Sequence, residues 1–259
     1  MGGFLFDELI FGPVRSRRLG VSLGINLLPT HKKFCSYNCI YCECGWTGNR
    51  RGLNISLPKQ GEISKLLKDR LISLKGTDLQ PDSITFAGNG EPTIHPDFVA
   101  IINDTCMLRD TYTPEAKISV LSNGSMLHHH EVVEALKKVD HNILKLDGGN
   151  EAIIKKINMP LKAFRLKDYI EKLKQFNGKL TIQSMFIRGE YNGEYVDNTT
   201  DSETAEWLKA IVEVKPELVM VYTIERETAA NGIIKIPEDE LQLIANMVKA
   251  QGFEAEVFA

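Results

Sequence analysis

The sequence predicts an α/β fold built around a parallel sheet. Short apolar segments of strand type alternate with longer segments whose apolar residues recur at helical spacing. About six such strand–helix units follow one another, which is fewer than the eight of a complete barrel. Neither a low-complexity linker nor a shift in composition divides the chain. Because strands that alternate with helices form parallel sheets with right-handed crossovers, we expect one domain over residues 1–259.

Each element is predicted from its own pattern. The first strand, 19–27, alternates apolar and small residues after an N-terminal extension at 1–18. The first helix, 62–74, places Ile63, Leu67 and Leu71 on one face. The same patterns predict further strands at 83–87, 117–121, 143–147, 180–186 and 218–223, and a short strand after Gly252. They predict further helices at 95–107, 129–138, 166–176, 204–214 and 238–250.

Composition indicates an ordinary globular protein. Of the 259 residues, 43% are hydrophobic and 25% charged, and the net charge of −3 does not indicate a polyanion-binding molecule as a whole. The N-terminal residues lack the basic and apolar regions of a signal peptide, and no apolar run reaches membrane-spanning length. Five cysteines, an odd number, do not indicate a disulfide framework. We expect a cytoplasmic protein without a membrane partner.

Three cysteines crowd into a single loop, predicted at 28–45. Cys35, Cys39 and Cys42 have the spacing Cys-x3-Cys-x2-Cys, and Cys44 follows closely. Thiolates so placed suit zinc or an iron–sulfur cluster. A closed zinc site would use Cys44 as the fourth ligand, whereas three thiolates can hold three irons of a [4Fe–4S] cube and leave the fourth iron open. The spacing alone leaves both readings open.

Polar residues follow the predicted strands, where the chemistry of such barrels gathers. Gly88 and Gly90, which follow the strand predicted at 83–87, would let the backbone approach a ligand closely. The same residues also suit a turn. A polar side chain inside an apolar strand, as at Gln183, needs a partner if buried, and Lys145 with Asp147 could form a structural ion pair or meet a ligand. The candidate binding residues are Asn89, Gly90, Glu91, Ser122, Asn123, Lys145, Asp147 and Gln183.

Other polar groups have simpler interpretations. The basic group of Arg15, Arg17 and Arg18 fits a solvated turn or contact with phosphate or carboxylate. Three successive histidines, 128–130, cannot share one helix face, so we expect a solvated helix start rather than a metal site. Cys106 lies among apolar neighbours, and we expect a buried small hydrophobe. Glu225 and Arg226 at a strand end fit a solvated pair or a substrate contact.

The cysteine spacing, with Tyr41 just before the last thiol, resembles the radical S-adenosylmethionine (SAM) superfamily. The resemblance implies a partial (β/α)6 TIM-like barrel and a [4Fe–4S] cluster held by Cys35, Cys39 and Cys42. It also implies SAM as second cofactor, cleaved reductively to a 5′-deoxyadenosyl radical that abstracts a substrate hydrogen. The backbone of Tyr41 would meet adenine. An external electron donor such as flavodoxin or ferredoxin is implied as a partner.

The remaining SAM contacts are carried over from the same resemblance. The stretch 88–93 is similar to the superfamily's glycine–glycine–glutamate motif, with Asn89 in place of the first glycine. Gly90 and Glu91 would hold the SAM amino group, and Ser122 and Asn123 would contact its carboxylate or ribose.

Longer runs at 11–20, 35–42, 86–96, 122–124 and 145–147 resemble radical SAM proteins related to the tRNA wyosine-base (4-demethylwyosine) synthase. Those tRNA enzymes hold a second cluster with cysteines upstream of the main motif, and residues 1–34 contain none, so a single-cluster member is implied. Many relatives have Ile-Asn-Arg-Pro where Ile157-Asn158-Met159-Pro160 stands here. The substrate could be RNA, a protein or a small molecule, and activation of a glycyl-radical enzyme is the alternative function.

Overall fold

The computed structural model describes residues 3–16, 20–48 and 56–259. Its backbone contacts divide the chain into two compact units. The first unit comprises 5–35 and 47–142, and the second comprises 1–4, 36–46 and 143–259. The prediction of one domain over residues 1–259 stays a prediction.

The first unit is a run of parallel strands covered by helices. Strand β2 pairs in parallel with β3, and β3 with β4, while β1 joins β2 as an antiparallel edge. Helix α1 buries Ile63, Leu67, Leu71 and Leu74, which recur every three or four residues and therefore share one face. The elements are β1 (Ile10–Ser16), β2 (Gly20–Ile25), α1 (Gln60–Leu74), β3 (Ser83–Phe86), a 3-10 turn (Pro92–Ile94), α2 (Phe98–Tyr112), β4 (Lys117–Ser122) and α3 (His130–Leu136).

The second unit repeats this pattern. Strands β6 and β9 pair in parallel, as do β5 with β6 and β9 with β11, while β7 pairs in antiparallel fashion with β8 and β10. The elements are β5 (His141–Lys145), α4 (Glu151–Asn158), α5 (Leu166–Lys174), β6 (Thr181–Met185), β7 (Ile187–Tyr191), β8 (Glu194–Asp197), α6 (Asp201–Val214), β9 (Leu218–Tyr222), β10 (Ile233–Lys235), α7 (Glu238–Ala250) and β11 (Ala255–Phe258).

Trp207 of α6 fixes the ends of two strands in this unit. Its indole is 1% exposed and packs edge-on against Phe186 at 5.1 Å between ring centroids. The indole Nε1 donates to the carbonyl oxygen of Leu146 at 3.1 Å and to Ser184 Oγ at 2.9 Å. A buried indole N–H needs such a partner, and these bonds hold the ends of β5 and β6 where the polar residues begin.

The predicted strands and helices recur with shifted boundaries. The helix expected at 95–107 begins later, at Phe98, because a 3-10 turn occupies Pro92–Ile94. Part of the expected N-terminal extension forms β1. Helix α4 and strands β7, β8 and β10 were not predicted. Arg17 and Arg18 lie outside the described residues. Among the helices the structure describes, none combines the length and apolarity needed to span a bilayer.

Candidate functional site

Glycines bring the loop after β3 against the start of the cysteine loop. Gly90 has φ +144°, and a Cβ there would lie 2.0 Å from the carbonyl oxygen of Phe34. The Phe34 N–H donates to Asn89 O at 2.8 Å, and the Glu91 N–H donates to Phe34 O at 3.2 Å. This contact requires glycine on both counts, close approach and backbone angle. It therefore fixes the main chain next to Cys35.

Asn89 is a bracing residue in this structure. It is 0% exposed, and its Nδ2 donates to the carbonyl oxygens of Phe6 at 2.8 Å and Pro29 at 2.9 Å. Its Oδ1 accepts from the Phe6 N–H at 2.8 Å. Both amide hydrogens are thus used inside the protein, so the predicted contact of Asn89 with SAM stays a prediction and its visible role is to hold the chain before the cysteines.

Glu91 is a buried carboxylate, 2% exposed, that accepts from neutral groups. Its Oε1 accepts from Thr93 N at 3.1 Å, Thr93 Oγ1 at 2.5 Å and Ser122 Oγ at 2.8 Å. Its Oε2 accepts from the Asn123 N–H at 2.6 Å. Burial raises the pKa of Glu91, and these hydrogen bonds offset that rise only in part. The carboxylate ties the ends of β3 and β4 together.

Asn123 links Glu91 to the first cysteine, because its backbone N–H bonds to Glu91 and its side chain approaches Cys35. Its Oδ1 accepts from the Ser125 N–H at 2.9 Å, which fixes the amide orientation, and its Nδ2 then lies 3.6 Å from Cys35 Sγ. Both Asn123 and Cys35 are buried. Within the first unit, Gly90, Glu91, Ser122 and Asn123 are therefore brought together around one thiol.

In the second unit, main-chain hydrogen bonds hold the rest of the cysteine loop. The Ile40 N–H donates to Ile157 O at 2.9 Å, and Asn38 N–H to Asn158 O at 3.1 Å. The Ala229 N–H donates to Cys42 O at 3.1 Å. The segment 157–160, singled out in the sequence, thus braces the cysteine loop.

Beneath this loop lies a buried charged cluster of Tyr41, Lys145, Asp147 and Asn158. Asp147 Oδ2 accepts from the Tyr41 hydroxyl, from Lys145 Nζ at 3.3 Å and from Asn158 Nδ2 at 2.6 Å. Lys145 Nζ also donates to Tyr41 Oη at 2.6 Å. The Met185 N–H donates to Asp147 Oδ1 at 2.9 Å. Lys145 and Asp147 therefore form the ion pair that the sequence left as one of two alternatives.

Electrostatics fix the protonation of this cluster. Burial lowers the pKa of Lys145, but the Asp147 carboxylate outweighs it, so the pKa ends well above its ordinary value. Burial, and then the charge of Asp147, raise the pKa of Tyr41 far above its ordinary value. At neutral pH Lys145 is therefore an ammonium and Tyr41 a neutral phenol.

Asn158 and Asn198 were not predicted as site residues. Asn158 Nδ2 reaches Asp147 and lies 3.5 Å from Cys39 Sγ. Asn198 Nδ2 donates to Asp147 O at 2.9 Å and to Met185 O at 2.8 Å, which holds the turn after β5. The signal for Asn158 was the Ile-Asn-Met-Pro segment, whereas Asn198 lies in an ordinary polar loop and carries no motif.

Gln183 pairs in the sheet with Lys145 and is 8% exposed. Its predicted contact with a ligand stays a prediction.

The remaining candidates lie at the surface or partly buried. His128 Nδ1 is 3.1 Å from Ser125 O, His129 faces Glu131 at 3.6 Å, and α3 begins at His130, as expected of a solvated helix start. Arg15 is exposed. Cys106 is half-buried rather than fully buried as expected, because only part of its helix face is covered, and burial raises the pKa of its thiol.

Arg226 and Glu225 both make ion pairs at the surface. Arg226 Nη1 is 3.0 Å from Glu43 Oε2, and Glu225 Oε2 is 3.2 Å from Lys235 Nζ. Both acids and both bases are a third or more exposed. Each residue therefore pairs with a different surface partner, and a substrate contact at either of them stays a prediction.

The donor set fits an iron–sulfur cluster. Amide nitrogens approach the sulfurs of Cys35 and Cys39. Such donors stabilise thiolate sulfur, which is an acceptor. Across 3–16, 20–48 and 56–259, no three or more His, Cys, Asp or Glu side chains form a group that could hold a metal ion, so the ligand assignment of Cys35, Cys39 and Cys42 stays a prediction.

Parallel strands whose carboxyl ends carry a cysteine loop and buried polar clusters define an α/β enzyme of partial-barrel type. The family model for the Radical SAM superfamily matches residues 30–201, so the chain belongs to that superfamily. Enzymes of that superfamily use a [4Fe–4S] cluster and SAM and need a reductant and a substrate.

Two curated relatives are longer than this chain. The GTPase Obg of Brachyspira hyodysenteriae is 33% identical over 242 residues, covering 92% of this chain and 33% of that protein. A UPF0026 protein of Methanocaldococcus jannaschii is 33% identical over 208 residues, covering 78% of this chain and 60% of that protein. The chain thus spans about a third and about three fifths of these relatives.

Solved structures confirm the predicted α/β partial-barrel fold. A radical SAM methyltransferase from Sphaerobacter thermophilus aligns with a TM-score of 0.67 and 15% identity, over 92% of this chain and 65% of that one. TYW1 with a lysine–pyruvate adduct bound aligns with a TM-score of 0.58 and 16% identity, over 88% of this chain and 73% of that one. At such identities the likeness concerns the fold alone.

Proposed function

We propose that this chain is a single-cluster radical SAM enzyme in which Cys35, Cys39 and Cys42 hold one [4Fe–4S] cluster. The observation that carries the proposal is the pair of amide donors at Cys35 and Cys39, within a chain that belongs to the superfamily. When bound, the cluster and SAM supply a 5′-deoxyadenosyl radical that abstracts a hydrogen from the substrate. Cys35, Cys39 and Cys42 would hold the cluster through three thiolates.

The chain's own residues orient the cofactor. The Gly90 contact with Phe34 sets the main chain beside Cys35, and the Glu91 bonds hold the ends of β3 and β4 where Ser122 and Asn123 stand. Lys145 supplies a fixed positive charge. Gln183 offers a buried amide that can bind a ligand. We assign the SAM contacts to these residues and to the main chain of Tyr41 and Asn89.

We propose RNA as the substrate class, because the chain resembles the radical SAM proteins related to the tRNA wyosine-base synthase. The support for this proposal is the set of sequence runs shared along the chain, with a fold likeness to TYW1 beside it. In this structure Lys145 Nζ donates to Tyr41 Oη at 2.6 Å and to Asp147 Oδ2 at 3.3 Å.

The electron donor we propose is a small reducing protein such as flavodoxin or ferredoxin. We propose the cytoplasm as the location of this chain, because an oxygen-labile cluster fits a reducing compartment.

Anaerobic reconstitution with iron and sulfide tests the cluster and the cleavage of SAM. We expect brown protein with about four irons per chain and 5′-deoxyadenosine when SAM and dithionite are added. Cys39→Ala should lose both colour and turnover, whereas Cys106→Ala, the matched control outside the loop, should keep both. Colourless protein with tightly bound zinc and no SAM cleavage would establish the zinc-module alternative instead.

Transfer of deuterium from a labelled substrate into 5′-deoxyadenosine distinguishes the candidate substrates. Deuterium should appear in 5′-deoxyadenosine from perdeuterated tRNA and not from unlabelled tRNA. Transfer from a deuterated glycyl-radical enzyme, with none from RNA, would support the activating-enzyme alternative and remove the RNA proposal.

A further inference from the structure

Two asparagine amides, one in each unit, stand at two of the cysteine sulfurs. Asn123 Nδ2 is 3.6 Å from Cys35 Sγ, and Asn158 Nδ2 is 3.5 Å from Cys39 Sγ. Both distances are within hydrogen-bond range for sulfur. All four residues are buried, with exposures between 2% and 9%, so water does not compete well for the sulfurs. The sequence motif for SAM contact did not assign either amide this role.

The orientation of the Asn123 amide is fixed by the chain itself. Its Oδ1 accepts from the Ser125 N–H at 2.9 Å, so the NH2 end is the one that faces Cys35. Its backbone N–H is held by Glu91 Oε2 at 2.6 Å. The amide is therefore set before any cofactor binds.

The orientation of Asn158 is fixed by charge. Its Nδ2 donates one hydrogen to Asp147 Oδ2 at 2.6 Å. The other faces Cys39 Sγ and also Tyr41 Oη, which already accepts from Lys145 Nζ at 2.6 Å. The carboxylate demands a donor, so the NH2 end cannot turn away from the cysteine without losing that bond.

We propose that Asn123 and Asn158 are positioning residues that raise the reduction potential of the cluster through N–H···S bonds to Cys35 and Cys39. Hydrogen bonds to cluster sulfurs stabilise the reduced form, which carries one more negative charge, more than the oxidised form. This inference rests on the proposed function, since it concerns the cluster that these cysteines would hold. It adds that the chain eases the one-electron reduction on which SAM cleavage depends.

The test is a redox titration of the reconstituted full-length protein, with dithionite supplying the electron and the reduced cluster followed by its paramagnetic resonance signal. Asn123→Ala and Asn158→Ala each remove one N–H donor. Each should raise the ratio of oxidised to reduced cluster at a fixed potential by roughly tenfold, which equals about 59 mV for a one-electron couple. The double variant should shift by the sum of the two, because each donor meets a different sulfur.

Further variants test whether the change in potential comes from loss of the N–H···S bond or from substitution of an asparagine as such. Asn123→Asp keeps the acceptor for Ser125 and loses the donor, so it serves if alanine disturbs the turn, and it should also shift to lower potential. Asn246→Ala and Asn246→Asp make the same exchanges on an exposed position of α7 and should titrate as wild type.

The outcomes distinguish the two proposals. Wild-type potentials in the Asn123 and Asn158 variants, with clusters assembled in all of them, would overturn the inference and leave the proposed function standing. Failure of the wild-type protein to assemble a cluster would overturn both.

Discussion

Two buried carboxylates stand at strand ends in the two units, and they are satisfied in different ways. Glu91 accepts from main-chain and hydroxyl donors, all neutral, and is 2% exposed. Asp147 accepts from a phenol, an amide and the ammonium of Lys145, and its side chain is 0% exposed. The difference is that one negative charge is matched by dipoles and the other by a cation. Dipoles offset the burial of Glu91 only in part, so its pKa stays above the ordinary value.

The largest expected effect comes from breaking the charged pair. Lys145→Met leaves Asp147 buried without its cation, which should lower the free energy of unfolding by about 3–5 kcal/mol. Urea denaturation measures it. Lys155→Met is the matched control, since Lys155 pairs with Glu151 at 3.0 Å on an exposed helix face and should cost about 0.5 kcal/mol or less.

Removing the Asp147 charge as well should restore much of the stability that Lys145→Met loses. Lys145→Met combined with Asp147→Asn removes both charges and should recover more than half of the loss. A double variant no more stable than Lys145→Met would mean that the cation acts through packing alone, and the contrast with Glu91 would disappear.

A smaller effect is expected at the dipole-held carboxylate. Glu91→Gln places an NH2 group among donors and disrupts at least one hydrogen bond, which should cost about 1.5–3 kcal/mol. The same denaturation experiment measures it. Glu62→Gln, on the exposed first turn of α1, should change stability by less than about 0.5 kcal/mol.

The smallest expected effect is a pH dependence of the free energy of unfolding that arises from Glu91. Because the folded pKa of Glu91 is raised, the folded state binds the proton more tightly than the unfolded state. The wild-type stability should therefore fall as pH rises from about 4.3, the ordinary glutamate value, through the raised folded value. Glu91→Gln should lack this part of the slope, as measured by unfolding free energies from pH 4 to about 8. Parallel profiles for the two proteins would contradict the assignment.

The contribution of Lys145 has the same sign of pH dependence as that of Glu91, but it changes in a different pH range. Its folded pKa is also raised, so its contribution is fully present below about 10.4, the ordinary lysine value, and is lost only as pH rises through the folded value. The stability that the charged pair provides should therefore be constant over the range in which the Glu91 contribution changes.

Sequence patterns predicted the alternating strands well because buried parallel strands are short and uniformly apolar. The edge elements were missed for separate reasons. Helix α4 has only 8 residues, too few for a clear period, although Asn150 caps it by accepting from the Ile153 N–H at 3.0 Å. The β7–β8 hairpin carries Asn192-Gly193 at its turn, a signal of hairpins that could have found it.

For the candidate site, the sequence predicted which residues take part but not which of them bond to one another. The sequence identified Glu91, Ser122 and Asn123 as neighbours of a ligand, but it could not show that they bond to one another first. Side-chain partners between residues far apart in the chain depend on the fold, so pattern reasoning does not reach them. Asn158 and Asn198 were missed for this reason: Asn158 lies in the Ile-Asn-Met-Pro segment, but that segment did not reveal its bonds to Asp147 and Cys39, and Asn198 lies in no motif.

The contact between Gly90 and Phe34 makes the segment before the first thiol tolerant at one position and intolerant at the other. Main-chain atoms of Phe34 form this contact, so a replacement of its side chain should leave the hydrogen bonds in place. A single added methyl at Gly90, by contrast, would collide with the Phe34 carbonyl and push the whole segment outward.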